Sequence, residues 1–441
     1  MKKMLLRILM IISVIFVMSC GSGSAETTSQ TQEIIAVDTV DVTILGRKDG
    51  GKIIIDKDVD LKGKECKIPE GKTLVFKGGM INNGILSGKM TKIECKGKAF
   101  DKVTIKGSWN VPEISTKLFA DVSYENALRD VVALALPEVK NSIVIEKGEY
   151  KVKAEKNKDV CIPICDNTDL IIKGTIRLAP NDLKSCDIIQ AKGENINIRG
   201  NGTIMGDKHT HTGKEGEWGM GINLKGAINT TISGLTIKDC WGDCIYVGGN
   251  SKNVLIERCK LDHGRRQGIS VTKADRVTIR NCTITNVSGT NPQYAIDIEP
   301  NSRDSVDNIL IESVIVKDCE GGFSVYRKER KDGDQTPWIG KVTIRNCKVS
   351  SKSKKPVSIR MCENVKIEKC SLYAQKGKTA IYVAETGKAT VLNNTASIDG
   401  SIIEKAKKGI KQLMGKKNME PIYVKTTSQS IVKNNKVVER E

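Results

Sequence analysis

The stretch that decides the fold is ADRVTIRNCTITN (274–286), because the chain repeats it. Equivalent segments are NTTISGLTIKDC (229–240), SKNVLIERCKLDH (251–263), VDNILIESVIVKD (306–318), GKVTIRNCKVSS (340–351) and CENVKIEKCSLYA (362–374). Their first inward apolar residues, Ile232, Val254, Val277, Ile309, Val342 and Val365, are spaced 22, 23, 32, 33 and 23 residues apart. The unit is therefore about 23 residues, lengthened in two copies. Within each copy apolar and polar residues alternate, the period of a strand that buries one face. Repeats of this length with no helix between strands predict an all-β solenoid, in which each rung buries its apolar side only by stacking on its neighbours.

A second set of strands follows the first: GMGINL (219–224), GDCIYV (242–247), RQGISV (266–271), YAIDIE (294–299), GGFSVY (321–326), KPVSIR (355–360) and TAIYVA (379–384). Strand alternation turns Ile222, Ile245, Ile269, Ile296, Phe323, Val357 and Ile381 inward. It turns Asn223, Tyr246, Ser270, Asp297, Ser324, Ser358 and Tyr382 outward. Two residues further along, Lys225, Gly248, Thr272, Glu299, Tyr326, Arg360 and Ala384 form a parallel outward row. If rungs stack at about 4.8 Å, side chains far apart in the chain become one wall.

The composition agrees. Of 441 residues 39% are hydrophobic but only 4% aromatic, so Ile, Val and Leu must fill thin β layers rather than a bulky centre. Cys259, Cys282, Cys347 and Cys370 occupy one equivalent position, where the other copies have Leu235 and Val314. Thiols that exchange with aliphatics read as small core residues in a ladder. Cys161 and Cys165 leave two readings open, a strained disulfide or core, and core is preferred. There is no C-x-x-C pair beside histidine, and the reading calls for no metal and no cofactor.

Residues 1–20 combine Lys2, Lys3 and Arg7 with an apolar run from Ile8 to Val17, which predicts an export signal rather than a membrane span. The closing V-M-S-C resembles a bacterial lipoprotein cleavage box, implying a lipid on Cys20 and an outer-membrane location, periplasmic or at the cell surface. Residues 21–37 read as a flexible tether and 38–115 as an N-terminal β module. Residues 116–400 read as the solenoid with an N-terminal capping helix at Tyr124–Leu136, and 401–441 as a helical insertion at Ile402–Met414 followed by a last coil. Thirteen cysteines other than Cys20, an odd number, leave at least one thiol unpaired within the chain in an oxidising compartment. The net charge of +19 invites nucleic acid, an anionic membrane or an acidic polysaccharide. For a chain expected to be exported and monomeric, nucleic acid is not an expected partner.

The repeats over roughly 138–400 resemble the right-handed parallel β-helix of the pectate lyase and polygalacturonase superfamily. That resemblance implies a carbohydrate groove on the outward face of the second strand set. The G-D-C-I at 242–245, followed one rung later by R-Q-G-I-S at 266–270, resembles the D-D-C and G-H-G-x-S elements of polygalacturonases and implies Asp243 as a catalytic acid. The departures are plain: the preceding strand reads M-G-I-N where that family has N-T-D, Arg266 stands where it has histidine, and its R-I-K is missing. The D-H-G-R-R-Q-G segment is similar to the N-D-R-H-G-F of mannuronan epimerases. This implies elimination or epimerisation of a uronate by His263, Arg265, Arg266 and Tyr246 or Tyr294, with no acidic cage for calcium.

On the residues alone, glycoside hydrolysis leads, since it needs two carboxyl groups at a defined separation. Asp297 and Glu299, about 6.6 Å apart along one strand, fit better than Asp243 with Asp297. Arg266 completes the catalytic set. His209, His211, Glu217 and Trp218 in DKHTHTGKEGEWG (207–219), with Tyr246, His263, Arg265, Gln267, Tyr294, Tyr326 and Arg360, are expected to bind an acidic polysaccharide or oligosaccharide, rings stacking on sugars and arginines gripping carboxylates. A bland reading remains beside it, an acidic strand neutralised by Arg266 and Arg360. A non-catalytic glycan-binding lipoprotein is the third function considered.

Overall fold

A computed structural model describes residues 38–125, 127–156, 159–301, 303–327, 339–350, 355–375, 378–399 and 421–440. The expected leader and tether, most of the segment inserted after Tyr326 and the helix expected at Ile402–Met414 lie outside the described residues.

From Asn141 onward the chain is a parallel β-helix with three strands per rung. One rung contains Ile245–Gly248, Ser251–Glu257 and Lys260–Asp262. The next contains Ile269–Val271, Ala274–Arg280 and Thr283–Thr285. Equivalent strands pair in parallel from rung to rung. On the first face Ile245 meets Ile269 and Ile296; on the second Val254 meets Val277 and Ile309; on the third Leu261 meets Ile284 and Val316. Both sets of inward residues read from the repeats are buried. The alternation thus does what the pattern requires, since a one-residue slip would turn every Ile and Val to solvent.

The corners explain the N-C and R-C pairs of the repeat. Arg258, Asn281, Asn346 and Lys369 adopt φ of 54°, 54°, 56° and 55°, a left-handed bend that asparagine tolerates best among residues with a side chain. The next residue turns inward and buries an apolar group beneath the bend. Cys259, Cys282, Cys347 and Cys370 fill it, each donating its thiol to the carbonyl two residues back at 3.2–3.4 Å. All thirteen described cysteines are free. Cys161 Sγ lies 3.6 Å from Cys186 Sγ, and Cys165 Sγ contacts the Thr168 hydroxyl, so Cys161 and Cys165 are not joined to each other.

On the second face the outward row is ionic. Ser233, Glu257, Arg280, Glu312, Arg345 and Glu368 stand in register, and the charges alternate in sign. Arg280 pairs with Glu257 at 2.7 Å and Arg345 with Glu312 at 2.6 Å.

The capping helix spans Ala127–Val132, shorter than the Tyr124–Leu136 expected from amphipathicity. Its last turn tightens into three-residue bonds from Leu134 to Val131 and from Ala135 to Val132, and Pro137 disfavours a helical Leu136 just ahead of it. Buried Asp130 accepts the Ile105 backbone N–H at 2.9 Å and the Tyr124 hydroxyl at 3.1 Å, fastening the helix to the strand Phe100–Trp109. Strands from Thr39 to Trp109 form an eight-stranded sheet of their own. Their apolar residues are continuous with the solenoid core, with the Phe100 and Phe119 rings 5.3 Å apart at the junction.

Candidate functional site

The first face carries the outward row read from the sequence. Asn223, Tyr246, Ser270, Asp297, Ser324, Ser358 and Tyr382 are Cα partners in unbroken succession. Asp243 stands beside this row, at the entrance to the strand Ile245–Gly248.

Asp243, expected as an accessible acid, is 0% exposed. The Ser270 hydroxyl donates to its Oδ2 at 2.6 Å, and Arg266 covers it with Nη1 at 3.3 Å. Burial raises its pKa; the Arg266 charge and the Ser270 hydrogen bond oppose the shift. Arg266 also donates through Nε to Glu217 Oε2 at 2.9 Å. Burial works against the Arg266 charge, and the fields of Asp243, Asp297, Glu217 and Glu299 outweigh it. One guanidinium thus ties the 207–217 segment to the rungs and answers four carboxylates.

Asp297 lies one rung beyond Ser270, 3% exposed. Gln267 Nε2 donates to its Oδ2 at 2.7 Å, while Gln267 Oε1 accepts the Tyr294 backbone N–H at 2.8 Å, so the glutamine is locked and the carboxyl held. Burial pushes the Asp297 carboxyl up to about 7; Glu299 adds to the shift, while Ser324 and Arg266 oppose it. Glu299, two residues along, is half-buried. Tyr294 is covered, its pKa pushed up to about 12 by burial and by Asp297. Its ring overlies Gly321, where an added Cβ would come within 2.3 Å of it; only glycine admits the ring there. Tyr246 accepts the Thr272 hydroxyl at 2.7 Å. Arg360 does not neutralise Glu299: it pairs with Glu385 at 2.9 Å and lies 6.0 Å from the Tyr326 ring.

Other predicted ligands do different work. His211 is buried, its side chain 1% exposed, with Nδ1 on Asp207 Oδ2 at 2.8 Å and its ring stacked 3.8 Å from Trp241. Arg265 covers the same indole at 3.7 Å and donates to the Gly216 and Trp241 carbonyls. Both anchor the 207–217 segment and neither faces the row. His209 pairs with Asp239 and His263 with Asp262, their rings 6.0 Å apart. His263 occupies a left-handed corner, φ 54°, at the end of the third face rather than on the first. Trp218 is 53% exposed and follows Glu217, the partner of Arg266.

Sequence reading missed Asp187. It is buried, and the amides of Gln190 and Asn223 both donate to its Oδ2 at 2.8 Å. Burial raises it to about 6 against those bonds. Aligning SCDIIQA (185–191) with the later strands would have found it, since Asp187 pairs with Met220 and so stands two rungs ahead of Asp243.

Comparison with known proteins yields relatives of undetermined role. The SPbeta prophage-derived uncharacterized protein YorA of Bacillus subtilis (strain 168) is 28% identical over 236 residues, 46% of this chain and 39% of that protein. Uncharacterized protein YclG of the same strain is 36% identical over 135 residues, 26% of this chain and 23% of that protein. The chain thus spans well under half of either relative. Among solved structures, the mannuronan C-5 epimerase AlgE6 A-module of Azotobacter vinelandii superposes with a TM-score of 0.48 at 13% identity, covering 74% of this chain and 100% of that one. The tailspike protein of E. coli bacteriophage HK620, solved with a pentasaccharide, gives 0.44 at 13%, covering 74% and 67%. The family model described as "Right handed beta helix region" matches residues 151–305 and 294–441, the same rungs whose register builds the first face. The chain is a member of that right-handed β-helix family.

Proposed function

We propose that this chain is an exported, lipid-anchored glycoside hydrolase that acts on an acidic polysaccharide laid along the first face. The observation that carries the reading is Asp297: a buried carboxyl, fixed by Gln267 at 2.7 Å, raised to about 7 and beside a second carboxylate, Glu299. A carboxyl with that pKa keeps its proton near neutrality and can deliver it to a leaving glycosidic oxygen, while the neighbouring carboxylate attacks the sugar or activates water. Asp243 acts differently from the expectation. Buried beneath Arg266, it is a positioning residue that orients Arg266 and Ser270. Half-buried Glu299, Tyr246 and Tyr326 and exposed Trp218 offer the accessible polar and aromatic contacts of a sugar groove.

Elimination or epimerisation keeps Arg266 and Tyr246 at the first face but not His263 and Arg265, which are engaged elsewhere. The coverage of Asp243 and Asp297 favours, as the second reading, a glycan-binding protein without turnover. Product chemistry separates them. With acidic polysaccharides as substrates, hydrolysis releases reducing ends without ultraviolet absorbance, and Asp297→Asn or Glu299→Gln abolishes the release while the circular dichroism spectrum stays unchanged. An absorbing unsaturated uronate, or release that survives both variants, overturns the acid assignment; binding without either product leaves the binder. Outer-membrane anchoring through Cys20 is tested by whether Cys20→Ala moves the protein from the membrane to the soluble fraction.

A further inference from the structure

The first face continues past the carboxylates. From Asp297 the outward row passes in register through Ser324, Ser358, Tyr382 and Tyr423. The last two rings are stacked, with centroids 5.2 Å apart and planes 14° from parallel. Rings stacked along the solenoid present their edges to the groove, and an aromatic edge carries partial positive charge. Arg360, one rung before Ala384 in the adjacent row, sits between Tyr326 and Tyr382, both close enough to raise its pKa after the larger effect of Glu385. Lys425, exposed, follows Val424, the partner of Val383. Within this group the first face changes sign, from the acids at Asp297 and Glu299 to cations and phenols.

We infer that Tyr326, Arg360, Tyr382 and Tyr423 form a distal subsite for an anionic sugar unit, a uronate or a sulfated residue, running from Tyr326 one rung beyond Asp297, through Arg360 on the second, to Tyr382 and Tyr423 on the third and fourth. This rests on the glycan reading above and deepens it. At about 4.8 Å per rung Arg360 lies about 10 Å and the tyrosine stack about 14–19 Å from Asp297 along the axis, so only a chain reaching several units past the reacting bond occupies both the carboxylates and the stack. The Arg360–Glu385 contact is a half-exposed pair, 2.9 and 3.1 Å to the two carboxylate oxygens. Such pairs contribute little to stability, and a ligand carboxylate can take the place of Glu385 on the same guanidinium. Glu385 thereby acts as a competitor that the correct ligand displaces.

The test is calorimetric binding of size-graded oligogalacturonates, two to eight units, with cello-oligosaccharides as the neutral control, to the full chain carrying Asp297→Asn so that nothing turns over. Affinity is expected to rise about tenfold as the oligogalacturonate becomes long enough to span both places. Arg360→Gln and Tyr382→Ala remove that rise without changing the binding of short oligomers, and Tyr382→Phe retains most of it. Glu385→Gln increases it, which a merely structural role for the pair cannot produce. Equal affinity at all lengths, or a length effect untouched by Arg360→Gln, overturns the distal subsite while leaving the glycan reading intact. Tighter binding of the neutral series overturns the anionic class, and absence of binding by both series overturns the reading beneath it.

Discussion

The first and second faces of this solenoid are built from the same rungs at the same spacing, yet they treat charge in opposite ways. On the second face Glu257, Arg280, Glu312, Arg345 and Glu368 alternate in sign rung by rung, so stacking brings opposite charges together. On the first face Asp243, Asp297 and Glu299 gather within reach of one guanidinium, and two of them are buried. A solenoid able to pair its charges on one side and leaving acids crowded on the other carries a local cost in stability, and such costs concentrate where chemistry is done. The contrast separates a face that fixes register from the face that carries the candidate site.

The comparison breaks most visibly in turnover. Asp297→Asn is expected to lower hydrolysis by about 10²–10⁴-fold, the usual worth of a positioned proton donor, whereas Glu312→Gln on the opposite face leaves the rate unchanged. Equal losses would mean the faces are not functionally distinct. Stability gives the next contrast. Arg266→Gln strands the fully buried Asp243 carboxylate and is expected to cost about 3 kcal/mol at pH 7 in urea unfolding, less at low pH where Asp243 takes up a proton.

A third effect depends on pH. Because the folded-state pKa of Asp297 lies at about 7, well above the ordinary value, its folded state holds a proton that the unfolded chain has released. Its contribution is fully present below about pH 4 and is lost as pH rises through about 7, at most about 4 kcal/mol. Asp297→Asn therefore gains stability over the parent protein between pH 4 and 8, and a Tm difference that does not grow across that window contradicts the shift. The smallest effect belongs to the second face. Arg345→Gln removes a half-exposed pair and is expected to cost under about 1 kcal/mol, vanishing in high salt.

The architecture was legible because it rests on periodicity: the inward residues Val254 through Val365 and Ile222 through Ile381 identify themselves by spacing, whereas the first copy slips by two, since Ile232 stacks on Ile256 and buried Thr230 stands opposite Val254. The row on the first face followed from the same alternation. Burial within that row was not legible, because whether Asp243 or Asp297 is covered depends on Arg266, Gln267 and the 207–217 segment closing over them from other rungs. The histidines misled for a related reason. His211 looked like a ligand in a polar stretch, but its neighbours Trp241 and Arg265 come from later rungs and turn it into an anchor. His263 looked catalytic, yet the third-face corner needs a left-handed residue there. Asp187 was readable and overlooked, since its strand precedes the insertion that interrupts the repeat.

The most direct measurement is a carbon-13 titration of the aspartate carboxyl groups in the folded protein, with Asp297 assigned by its loss in Asp297→Asn. The account predicts that this resonance titrates near pH 7 and shifts upward when Arg266→Gln removes the opposing cation. A resonance that titrates below pH 5, or does not respond to Arg266, contradicts the claim that this face holds a proton ready for transfer.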